Sequence, residues 1–135
     1  MKVFLVTALL AFTTLTTTSQ VFAHGDHGPT QVQPTKGGVI MQSEHFLIEA
    51  VGTKTEIKLY PLREDGKAIP MTEVKLEATY TLPRSKTPVQ LSLVKAADHF
   101  VGPVKAGSAH RYELKVNAQI GKEKDTLTAQ IETQE

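Results

Sequence analysis

The sequence predicts an all-β fold, an antiparallel β-sandwich of about seven strands, and three observations carry that prediction. Apolar and polar side chains alternate with a period of two through most of 39–132. Glycine, proline and Asp-Gly steps break the alternation at short intervals, and no stretch beyond residue 38 reads as a helix. Successive side chains of a strand point to opposite faces, so this texture is what half-buried strands require.

A short strand is expected over Val39–Gln42. The next, 45–51, places Phe46, Ile48 and Ala50 on one parity and His45, Leu47 and Glu49 on the other. Gly52-Thr53 turns the chain into 55–62, where Ile57, Leu59 and Pro61 alternate with Glu56, Lys58 and Tyr60. Asp65-Gly66 then favours the positive backbone angles of a tight turn. Val74, Leu76, Ala78, Tyr80 and Leu82 mark the clearest strand, set against Lys75, Glu77, Thr79 and Thr81. After a polar turn at 83–88, alternation resumes at Val89, Leu91 and Leu93. Residues 96–107 read as a connecting loop, punctuated by Gly102-Pro103 and Gly107 and plugged by Phe100. His110, Tyr112, Leu114, Val116, Ala118 and Ile120 share one parity of the following strand. Beyond a Gly121-Lys122 turn, Leu127, Ala129 and Ile131 form the inward side of the last. Short strands joined by short turns give immunoglobulin-like proportions.

Two segments precede this domain, which is expected over 39–135. Residues 1–23 have the layout of an export signal: Lys2, an apolar run from Val3 to Phe12, a polar stretch, then Val21 and Ala23 where a signal peptidase reads. The apolar run is about half of the ~20 residues that a membrane-spanning helix needs. Residues 24–38 contain Gly25, Gly28, Pro29, Pro34, Gly37 and Gly38, with Val32 the only large aliphatic, which is the composition of a flexible arm. Cleavage after Ala23 leaves His24 as the first mature residue, with a free α-amine.

Composition removes several function classes. Of 15 basic and 14 acidic residues only Lys2 falls within 1–23, so the mature chain is balanced and lacks the basic surplus of a nucleic-acid binder. With no cysteine there is no disulfide, no thiolate metal site and no cysteine-linked lipid anchor. With no tryptophan and few aromatics, a carbohydrate-stacking surface is not expected. No two histidines have the helix-turn spacing of a zinc hydrolase, and the chain reads as a non-enzymatic protein.

What remains is a set of nitrogen and oxygen ligands. Histidines 24, 27, 45, 99 and 110 all lie in the mature part, and neutral imidazole suits zinc, copper and nickel. His24 is the most informative, because its amine and ring nitrogen can chelate one ion while Asp26 and His27 close on it from a glycine-loosened turn. Ordering such an arm costs roughly 1–2 kcal/mol per residue, and the plainer reading is a solvated tail. His45 begins a strand on the parity opposite Phe46 and reads most simply as an exposed strand-end histidine. His99 lies in the Asp98-His99-Phe100 loop, where a ligand is easily placed. His110 starts a strand on the apolar parity, where a hydrogen-bonded histidine at the end of the core is the commoner outcome. Met41 and Met71 offer thioether sulfur but fit core packing better. The candidate metal ligands are therefore His24, Asp26, His27, His45, His99 and His110, for a divalent transition metal or copper ion.

The segments Ala23-His24-Gly25-Asp26-His27-Gly28, Gly37-Gly38, His45-Phe46, Leu59-Tyr60-Pro61-Leu62 and Asp65-Gly66-Lys67-Ala68-Ile69-Pro70 resemble small periplasmic domains associated with heavy-metal efflux. Comparable segments occur in stand-alone proteins and near the N-termini of adaptor subunits of resistance-nodulation-division metal pumps. The resemblance covers residues 24–82. It implies a periplasmic location, binding of copper, zinc, nickel or cobalt through the N-terminal histidines and His45, and a periplasmic adaptor or efflux complex as partner. The chain lacks the adaptors' coiled-coil hairpin and is not itself an adaptor. An envelope interaction module without a metal site is the alternative. An N-terminal-histidine copper oxygenase would use the same chelate, but nothing in the sequence marks the substrate surface it needs.

Overall fold

A computed structural model describes residues 31–134. The expected signal at 1–23 and the positions His24, Asp26 and His27 lie outside the described residues. Among the described residues nine strands form: β1 (Val39–Gln42), β2 (Leu47–Gly52), β3 (Glu56–Leu62), β4 (Val74–Thr81), β5 (Val89–Gln90), β6 (Val94–Lys95), β7 (Phe100–Pro103), β8 (Arg111–Ile120) and β9 (Glu123–Glu132). A single 3-10 turn at Met71–Glu73 leads into β4. Among the described residues no helix is long and apolar enough to cross a membrane.

The strands make two antiparallel sheets, ordered β1-β2-β3-β7-β6 and β5-β4-β8-β9. Together they form the β-sandwich that the alternation predicts. Ile48, Ala50, Ile57, Leu59 and Phe100 of the first sheet face Val74, Leu76, Ala78, Tyr80, Tyr112, Leu114, Val116 and Ile131 of the second, all buried in one core cluster. Burying each large aliphatic or aromatic among them contributes about 1.5–3 kcal/mol, which sets which parity points inward. Register follows: Ala78 pairs with Val116 and Tyr80 with Leu114, so apolar residues stand opposite one another on the inner face. Met41 belongs to this core and Met71 packs against it, the packing role that their isolation in sequence suggests.

Two strands lie where the sequence reads otherwise. The 96–107 stretch contains β7, which pairs Phe100 with Leu59 and Pro103 with Glu56, and its neighbour β6 pairs Val94 with Val101. Pro103 is tolerated because β6 has ended before it, so its missing N–H breaks no ladder. Phe100 fills the core as expected, at 5 % exposure.

Candidate functional site

Alternation puts Glu49 on the outer face of the five-stranded sheet, opposite in parity to Ile48 and Ala50, yet it is 1 % exposed. Residues preceding β1 fold back over that face. The Glu49 carboxylate accepts hydrogen bonds from the backbone N–H groups of Lys36 at 2.7 Å, Thr35 at 3.2 Å and Gly38 at 3.2 Å. The Thr35 hydroxyl donates a further one at 3.3 Å. A buried carboxylate is sustained only by such partners. The glycine pair makes the wrap possible: Gly37 holds φ +75°, and a Cβ on Gly38 would run into the Ala50 carbonyl. The C-terminal part of the expected arm is thus held by four hydrogen bonds to Glu49.

Upstream of this clamp, Val32 rests on Gly66, and 31–34 borders a groove with Ser43, Glu44, Leu47 and Glu64. That cover explains why Leu47, on the outward parity, is buried. It also fixes where the chain enters the described domain, at the end of the sandwich that carries the β1–β2 turn.

His45 sits in that turn. Its Nε2 lies 3.3 Å from Glu123 Oε2 at the start of β9, with both side chains about half exposed. The expected outward orientation is what the structure has. The β1–β2 turn, the Glu64 loop and the β8–β9 turn therefore place Glu44, His45, Glu64 and Glu123 at one end of the molecule.

His99 lies elsewhere, on the outer face of the five-stranded sheet. Its Nδ1–H donates to Asp98 Oδ1 at 2.7 Å, which leaves Nε2 as the free lone pair. The ring is tilted over Tyr60 at 4.9 Å between centroids, and the Lys36 ammonium stands 4.8 Å from the same Tyr60 ring. The His99 hydrogen bond holds the Asp98 carboxyl below the usual carboxylate range against the opposing effect of burial, and the charges of His99 and Lys36 add to it. Two strand spacings and four residues separate His99 from His45, roughly 15 Å.

His110 precedes β8 and is exposed rather than closing the core, because the inward series begins only at Tyr112. β8 is ten residues long and Glu123 lies past its far end, so His110 is roughly 30 Å from His45. His45, His99 and His110 therefore do not converge. Among the described residues, no group of three or more His, Asp and Glu side chains is arranged to hold a metal ion.

Sequence reasoning missed Glu49 and Tyr60. Glu49 resembles any outward strand carboxylate, and the one signal pointing to it is the Gly37-Gly38 step, which announces a close backbone approach. Comparison with protein-family models, with curated proteins and with solved structures gives no match.

Proposed function

We propose that this is an exported, periplasmic protein that binds a copper, zinc, nickel or cobalt ion for buffering, delivery or efflux-linked resistance. His24, Asp26 and His27 capture the ion, and His45 with Glu123 completes its shell from the sandwich. The observation that carries the reading is the seat of 31–34 beside Ser43, Glu44 and Glu64. His27 is four residues from Gln31, and four residues of chain reach at most about 14 Å. A chain of that reach is long enough to bring His27 to His45, and neither His99 nor His110 lies at the end where 31–34 is seated. A pair of half-exposed donors is a weak site alone; joined to an amine, two imidazoles and a carboxylate, it becomes a sufficient ligand set for any of these ions.

Copper(II) broadening of nuclear magnetic resonance signals tests this placement. Sub-stoichiometric copper should broaden amides at Ser43 to Leu47, at Glu64 and at Glu123, and leave those around His110 sharp. Broadening confined to His99 or His110, or none, would remove the reading.

The alternative, an envelope interaction module, draws on β9, which ends its sheet with no further strand paired to it among the described residues. A partner strand could add there. That reading requires the double change His24→Ala and His27→Ala to leave biological activity intact.

A further inference from the structure

The end of the sandwich remote from His45 holds a cavity of about 800 Å³ bordered by the β4–β5 turn, the loop before β8 and the end of β9. We propose that it binds a small amphiphilic oxyanion, a carboxylate or phosphate carried on a short apolar body. Leu82, Pro83, Ala106 and Ala109 supply apolar wall. Arg84 and Arg111, two of the three arginines in the chain, stand at its rim with His110 and Ser108. Neither arginine has an ion-pair partner among the described residues, although Glu132 lies beside them and pairs in register with Arg111.

Backbone carbonyls at the mouth already accept hydrogen bonds. The Ala106 carbonyl accepts from Ala109 N–H at 3.0 Å, and the His110 carbonyl accepts from Thr133 N–H at 2.9 Å. The Thr133 hydroxyl donates to the His110 carbonyl at 3.2 Å and lies 3.4 Å from that of Ala109. The donors the cavity offers are two guanidinium groups, the His110 imidazole and the Ser108 hydroxyl, beside one carboxylate, Glu132. Guanidinium presents a planar fork of N–H groups that matches carboxylate and phosphate oxygens, and a volume of this size is usual for a small-molecule site. The same two positive charges make His110 a poor ligand for a metal cation and a good one for an anion. This site is independent of the metal-binding reading.

Titrating 15N-labelled protein with hexanoate, hexyl phosphate and neutral hexanol tests it. The two anions separate a carboxylate from a phosphate head. Saturable shifts with a Kd on the order of 1 mM for at least one anion, localised to Arg84, Ser108 to Arg111 and Thr133, are expected. Hexanol should give no saturation. Arg84→Gln and Arg111→Gln, both on exposed side chains, should each weaken the anion by about tenfold while the remaining signals stay in place. Linear shifts with both anions, hexanol binding as tightly as they do, or unchanged affinity in both variants would overturn the proposal.

Discussion

Replacing Glu49 with Gln keeps the side-chain volume and removes the charge at the centre of the clamp. If the amide oxygen takes the place of Oε1, the bonds from Lys36 and Gly38 survive as neutral ones, roughly half as strong. The amide nitrogen then replaces Oε2 and faces the Thr35 N–H, so two donors meet where a donor met an acceptor. One lost charge-assisted bond and one unsatisfied donor come to about 2–3 kcal/mol. The loss is capped by the free energy of docking 31–38 on the sheet, since the segment can peel away and let its amides meet water. Against a typical total of about 5–15 kcal/mol, such a loss is readily measured. Urea unfolding gives its size, and amide hydrogen exchange at Lys36 and Gly38 shows whether the segment has lifted. A variant within about 0.5 kcal/mol of the parent, with both amides still protected, would refute the clamp.

Three further outcomes are expected. The Tyr112 hydroxyl is buried with no hydrogen-bond partner among the described residues, so Tyr112→Phe removes a desolvated donor and should stabilise the fold by about 1 kcal/mol in urea unfolding; destabilisation would mean the hydroxyl is satisfied. The Asp98 carboxyl is held below its unfolded value, so its contribution to stability is fully present above that value and is lost as pH falls through the folded one. His99→Ala should raise the Asp98 midpoint in a carboxyl titration followed by nuclear magnetic resonance, and an unmoved midpoint would contradict the pairing. His45→Ala breaks a half-exposed pair and should cost less than about 0.5 kcal/mol of stability while weakening metal uptake, two quantities separable by calorimetry with and without ion.

The inner face of the sandwich was legible because burial enforces a period of two: every aliphatic of β4 and nearly all of β8 fall where parity puts them. β7 was not, since four residues holding a glycine and a proline give no alternation to read. The outer face of β2 was hidden for a different reason. Parity assigns Leu47 and Glu49 to solvent, and only the folded-back 31–38 segment, a long-range contact, buries them. Histidine positions were legible singly and not jointly. Nothing along the chain shows that His45 and His110 stand at opposite ends of β8, and that separation sets His45 at the end where 31–34 is seated and His110 at the arginine-rimmed cavity.

On the proposed metal-binding reading, a free His24 amine and imidazole act together beside His45. Isothermal titration of zinc, copper and nickel into protein beginning at His24, and into protein with one extra residue ahead of it, puts this to the test. The extra residue should weaken uptake of at least one of these ions by about tenfold, because it turns the chelating amine into an amide. Equal affinity of the two forms for all three ions would contradict it.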